Sequence, residues 1–284
     1  MEFNLIDTHA HLNFNAYKDD GTQVIRRALD KGIGMINVGS QYDTSKRAVK
    51  IADDNEQGVY AAVGLHPIHL FDVEVDEEED KFHTKEEEFD EKKYQELVDS
   101  SNKVMAVGEI GFDFYHLPKD VDLKRAKEIQ KKEFVKQIEF AIKNDLPVIL
   151  HSRGTKEDPL CAYDDLLEVL EDYKGKIRGV KHCFTASTET ALKFIDLGLY
   201  IGFTGIITFG KNADSIREVV KEISLEKTLV ETDCPYLSPD PHRGERNEPS
   251  YVEYVAKKVA EIKQEDYEDV AKVLVSNSRK LFNI

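Results

Sequence analysis

The chain has 284 residues, 40% of them apolar and 33% charged, with a net charge of −16 at neutral pH. That balance supplies the core of a large α/β domain, and its acidity excludes a protein that coats nucleic acid through a broad basic face. No apolar run approaches the ~18 residues that cross a bilayer, MEFNLID lacks the form of a secretory signal, and Cys161, Cys183 and Cys234 show no paired spacing, so a cytoplasmic protein away from membranes is the expectation.

Short apolar runs alternate with helical patterns throughout. In order they are NLIDT (4–8), MINVG (35–39), VYAAVG (59–64), VMAVGE (104–109), PVILH (147–151), RGVKH (178–182), LYIGFT (199–204) and LVETD (229–233). Each is short, β-branched or punctuated by glycine, as strands covered on both faces are. The clearest helix is Leu123–Asn144, where Ile129, Phe134, Ile138 and Ile142 share a face. Asp43, Thr188 and Asp214 read as N-caps, and Gly32 and Gly198 as helix stops. Eight strands, each followed by a helix, predict a (β/α)8 TIM-like barrel forming a single domain, with a doubly wound open sheet as the alternative. One stretch breaks the rhythm. Residues Asp72 to Lys93 hold 12 acidic and 4 basic side chains, half of the net charge, and read as a solvated loop leading into a helix.

Chemistry in such a barrel sits where the strands end. His9 and His11 follow the first run, spaced so that alternation points both imidazoles the same way. His66 follows the third run, Glu109 ends the fourth, His151 the fifth, His182 the sixth and Asp233 the eighth. Five of nine histidines thus fall at predicted strand ends, a recurrence that scattered surface histidines would not give. The set exceeds what one tetrahedral ion needs, which points to a pair of divalent ions.

In order and spacing, DTHAHL, VGLHP, GEIGFDF, LPVILHSR, HCFTAS, GFTGIITF, ETDCPYLSP and RGERNEP resemble the TatD family of metal-dependent deoxyribonucleases, within the amidohydrolase superfamily. The resemblance runs from Asp7 to Pro249. It implies a barrel with two divalent metals and magnesium-dependent, exonucleolytic cleavage of phosphodiester bonds. By position, it implies that His9 and His11 hold one metal, His151 and His182 the other, and Glu109 bridges them. Asp233 would bind metal and hold the attacking water, and His66 would sit beside the substrate phosphate. The chain departs from the family's pattern at His69, displaced by one position and expected at the surface, at Ala186 in place of a usual glycine, and in the acidic insertion.

The residues fit this chemistry on their own terms. Asp233 suits a group that orients a water and takes its proton. The imidazole-rich set suits zinc, manganese or nickel, whereas the family's magnesium prefers oxygen, so magnesium, manganese and zinc all stand as expected ions. Arg153, Arg243 and Arg246 are the phosphate candidates, Arg153 foremost, and Arg246 reads equally as a tie on the NEP turn. Phe112, Phe114 and Tyr115 could stack on a base or pack the core. Lys181 is expected to face the helices, opposite His182, while Cys183 and Cys234 alternate away from the neighbouring ligands as small apolar groups. The expected partner is DNA, as single strands or chain ends. The alternative is a metal-dependent deacylase or amidohydrolase, acting on an aminoacyl-tRNA ester or a small amide through the same metals.

Overall fold

Runs that are apolar on both faces are satisfied only between two covering layers, and the fold supplies both. The computed structural model describes residues 2–76 and 81–284. Its strands are β1 (Leu5–Ala10), β2 (Ile33–Val38), β3 (Val59–Val63), β4 (Glu74–Asp76), β5 (Lys81–His83), β6 (Val104–Asp113), β7 (Val148–Arg153), β8 (Gly179–Lys181), β9 (Tyr200–Phe203) and β10 (Thr228–Val230). The helices are α1 (Gly21–Asp30), α2 (Tyr42–Asp53), α3 (Glu91–Ser100), α4 (Leu123–Lys143), α5 (Cys161–Glu171), α6 (Thr188–Asp196), α7 (Asp214–Glu222), α8 (Val252–Lys263) and α9 (Tyr267–Phe282).

One eight-stranded sheet runs β1-β2-β3-β6-β7-β8-β9-β10, with every ladder parallel. Its two ends meet just past β10, where Ala10 bridges Cys234 and the His11 amide donates to the Cys234 carbonyl at 2.9 Å. The sheet is a TIM-like barrel with helices between the strands. Inside it, Ile36, Ala62, Ala106, Ile149, Val180 and Leu229 pack on one another, and Leu281 and Phe282 of α9 join that cluster. Burying the isoleucine, valine, leucine and phenylalanine side chains among them stabilises by roughly 1.5–3 kcal/mol each. The opposite residues of the same strands, such as Leu5, Met35, Val107 and Leu150, pack in the cluster that includes the helices. No helix of the described residues is long and apolar enough to cross a membrane.

Several local expectations need correction. The helix caps sit one or two residues earlier: Gln41 caps α2, Ser187 accepts the Thr190 amide to cap α6, and α7 starts at Asp214 with Ala213 before it. Gly32 and Gly198 do follow helix ends with φ of 72° and 93°, where a side chain would be strained. On α4, Phe134 and Ile138 are buried but Ile142 is 37% exposed, because the apolar stripe drifts off the barrel at the last turn. The acidic insertion is not merely a solvated loop. β4 and β5 pair antiparallel, and Val75, Thr84 and Phe89 are buried, so a few apolar side chains anchor the segment. Its acidic run Glu77, Glu78, Glu79 and Asp80 lies outside the described residues.

Candidate metal centre

Strict alternation along β1 would send Ile6 inward and both Asp7 and His9 outward. The register shifts between Asp7 and Ala10, and this irregularity turns His9 into the barrel mouth. Asp7, facing away, accepts from the Thr232 amide at 2.8 Å and the Thr232 hydroxyl at 2.6 Å, tying β1 to the segment that carries Asp233. His9 and His11 converge so closely that their Nε2 atoms lie 3.0 Å apart. His11 Nδ1 lies 2.9 Å from the Val38 carbonyl, an acceptor that an Nδ1–H meets, so Nε2 is the nitrogen turned to the site.

Glu109 and His151 do not end their strands, although the sequence pattern places them there: β7 runs on to Arg153. β6 continues to Asp113, and a second register shift between Val107 and Ile110 aims the Glu109 carboxylate inward. Oε2 lies 3.4 Å from His9 Nε2 and 3.9 Å from His11 Nε2. Oε1 lies 2.7 Å from His151 Nδ1 and 3.7 Å from both His66 Nε2 and His182 Nε2. One carboxylate thus addresses two groups of imidazoles. Burial would raise its pKa, but the surrounding imidazoles outweigh that and hold it well below the usual carboxylate range.

Asp233 faces Glu109 across the pocket, its Oδ1 3.5 Å from His11 Nε2 and 3.8 Å from the Nε2 atoms of His9 and His182. Its φ of 59° and the 44° of Cys183 are left-handed values that L-residues seldom adopt. Such strain persists where the surroundings over-determine it, often at functional sites. Cys183 therefore does not alternate away from its neighbour. The left-handed turn after β8 leaves it lining the pocket beside His182. Cys234 is fully buried. Lys181 is buried with its ammonium 5.0 Å from the Tyr163 ring on α5 and donating to the His182 carbonyl. It does not only face the helices, as expected: it also lines the pocket.

His11, Glu109, His151, His182 and Asp233 line a cavity of about 370 Å³ together with His66, His69, Asp113, His116, Arg153, Tyr236 and Val75, with the fully buried His9 behind them. His66 points its Nε2 at Glu109 while its Nδ1 accepts the Ile68 amide at 3.2 Å. His69 is not a surface residue. The short helix Pro67–Leu70 folds it back until it is 4% exposed, with Nε2 3.3 Å from the Ser40 hydroxyl, and burial lowers its pKa to about 4. Arg153 ends β7 at the cavity with its guanidinium 4.0 Å above Tyr115. Arg243 is not drawn in: its guanidinium stacks 3.6 Å over Phe209, and it is not among the cavity-lining residues. Arg246 binds the Ala16 carbonyl and Asp20, both at 2.5 Å, and so ties a loop. Phe112 and Phe114 are 1% and 3% exposed, which removes them as stacking platforms, because both pack in the cluster that includes the helices. Ala186 packs in that outer core.

Two further carboxylates complete the arrangement, and the motif reading passed over both. Glu231 lies inside the barrel, fully buried, with Oε1 2.8 Å from His182 Nδ1 and 2.6 Å from the Cys183 amide. Burial alone would lower the His182 pKa, but Glu231, Asp233 and Glu109 together push it up to about 9. Asp113 Oδ2 lies 3.2 Å from His151 Nε2 and 3.2 Å from His116 Nδ1. Both carboxylates stand at even spacing from a recognised one, Glu231 two before Asp233 and Asp113 four after Glu109, so period-two alternation was the available signal.

The donor set suits cations. His9, His11 and Glu109 offer ligand atoms within 4.8 Å of one another, as do His66, Glu109 and His151, and His182, Cys183 and Asp233. His9 Nδ1 is buried with no hydrogen-bond partner among the described residues. Imidazole lone pairs converging beside anionic carboxylates are the chemistry of a transition-metal or zinc site.

A parallel barrel with such a cluster at its strand ends defines a metal-dependent hydrolase. The family model described as "TatD related DNase" matches residues 6–283, and the chain belongs to that family. It is 39% identical to the uncharacterized metal-dependent hydrolase YabD of Bacillus subtilis, over 99% of each chain. It is 31% identical to the uncharacterized metal-dependent hydrolase YcfH of Escherichia coli K12, over 99% of this chain and 96% of that one. Among solved structures, the TatD homologue YjjV of Escherichia coli K12 superposes with a TM-score of 0.82 at 29% identity, covering 100% of both chains.

Proposed function

We propose that this hydrolase is a deoxyribonuclease that removes nucleotides from the ends of DNA strands. The observation that carries this reading is the Glu109 carboxylate, with one oxygen toward His9 and His11 and the other toward His151 and His182, and Asp233 facing it. In this reading His9, His11, Glu109, His151, His182 and Asp233 hold two divalent ions, of manganese, zinc or magnesium. Bound there, the ions lower the pKa of a water and offset charge on the phosphoryl oxygens.

The chain's own groups do the rest. Asp233 orients the water and takes its proton at Oδ1, helped by a carboxyl group held in its ionised form; burial opposes this, but His182, His11 and His9 outweigh it. Asp113 and Glu231 fix the rings of His151 and His182 from behind. His66, 11% exposed at its side chain, meets the scissile phosphate, and Arg153 grips a phosphate oxygen at the rim. A cavity of about 370 Å³ has the size of a small-molecule site, and the acidic insertion contributes Val75 to its wall. Both features favour a chain end threading in over a duplex lying across an acidic surface.

The test is a substrate panel with manganese, zinc and magnesium in turn: end-labelled single-stranded DNA, an aminoacyl-tRNA and a dihydropyrimidine-type amide. Stepwise shortening of the DNA supports the reading. Turnover of the ester or amide with intact DNA overturns it in favour of a deacylase or amidohydrolase.

A further inference from the structure

The sulfur of Cys183 has no part in the six-ligand arrangement, yet it lies in the same cavity. Its thiol and the ligand atoms of His182 and Asp233 all fall within 4.8 Å of one another. Two local conformations produce this. The left-handed φ of Cys183 (44°) breaks the alternation that would hide it, and the φ of Asp233 (59°) brings that carboxylate to the same point. His182 is 3% exposed, with its Nε2 3.7 Å from Glu109 Oε1 and 3.8 Å from Asp233 Oδ1. The sulfur's own neighbour is the Thr204 hydroxyl at 3.7 Å, a weak contact that a cation would readily displace.

We propose that Cys183, His182 and Asp233 form a seat for a thiophilic divalent cation of the zinc and cadmium class, distinct in ligand chemistry from the imidazole–carboxylate positions. Hard ions such as magnesium avoid sulfur, whereas zinc and cadmium take thiolate, imidazole and carboxylate together. Binding replaces the thiol proton, which passes to solvent, by the metal, so no oxidant or other co-reactant is needed. The consequence is selective. A soft ion in this seat engages Asp233 and draws it from the water it orients, so cadmium suppresses turnover that manganese supports. This last step rests on the role proposed for Asp233; the seat itself does not.

The experiment titrates cadmium into the purified, chelator-treated protein and follows the ultraviolet thiolate-to-cadmium charge-transfer band. Manganese uptake is measured in parallel by elemental analysis. Wild-type protein and Cys161→Ser should develop one saturating band per chain. Cys183→Ser and Cys183→Ala should bind cadmium at least ~10-fold more weakly and lose the band, which needs a sulfur–cadmium bond that a merely supporting group does not make. Manganese uptake should remain unchanged in both. A band that persists in both Cys183 variants overturns the proposal, as does its absence from wild-type protein that still takes up manganese. That second result leaves the imidazole–carboxylate centre standing, whereas failure of both metals removes the seat and the centre together.

Discussion

Glu231 Oε1 stands 2.8 Å from His182 Nδ1 beneath the floor of the cavity, so a fully buried carboxylate sets the direction in which the other ring nitrogen points. Supporting carboxylates of this kind typically account for ~10–100-fold in metal affinity or activity. Glu231→Gln keeps the acceptor for the Cys183 amide but removes the charge. Its manganese affinity should fall within that range while its circular dichroism stays native. Wild-type affinity in the variant would show that His182 is oriented by its packing alone.

Asp233→Asn preserves shape and removes the proton acceptor. Loss of a general base costs ~10²–10⁴ in rate, so kcat on DNA should fall by that much with KM little changed. Hydrolysis near the wild-type rate would take Asp233 out of the mechanism.

Arg153 and Arg243 offer a contrast within one residue type. Arg153 lines the cavity, while Arg243 stacks on Phe209 outside it. Arg153→Ala should raise KM for single-stranded DNA and reduce the salt dependence of binding by about one phosphate contact. Arg243→Ala should leave both within about twofold, since a rim charge that touches no substrate contributes little. Equal effects in the two variants would place the DNA path across Phe209.

His69 makes the fold sensitive to acid. Its pKa is about 4 in the folded chain against 6.5 for an unperturbed imidazole, because burial disfavours the charged ring. Above 6.5 both folded and unfolded forms are neutral and the residue costs nothing. As pH falls from 6.5 toward 4, the unfolded chain takes up a proton that the folded one resists, and stability is lost across that window. Thermal unfolding of His69→Gln should therefore show a shallower fall in Tm between pH 7 and 5 than the wild type. Parallel profiles would mean that the ring protonates without leaving its pocket.

The barrel was legible because parallel strands covered on both faces leave compact apolar runs, and β3 and β7 begin within a residue of where VYAAVG and PVILH place them. The histidines were legible because they recur at strand ends. What the pattern could not show was which way the backbone turns within a strand. His9 and Glu109 face inward through register shifts, and Cys183 through a left-handed φ, and none of these leaves a trace in a two-residue period. Glu231 was hidden differently: a glutamate in an apolar run reads as part of the strand until its partner, 49 positions earlier at His182, is brought beside it. His69 escaped because its burial depends on the short helix Pro67–Leu70 folding back on Ser40.

The central claim is that these ligands form a metal centre of two ions, and manganese stoichiometry on chelator-treated protein tests it most directly. Elemental analysis after equilibration should find two ions per chain in the wild type, one when His9 and His11 are both changed to alanine, and weakened retention of the other in His151→Ala. Wild-type protein that takes up no manganese, or variants that keep the full two ions, would contradict it.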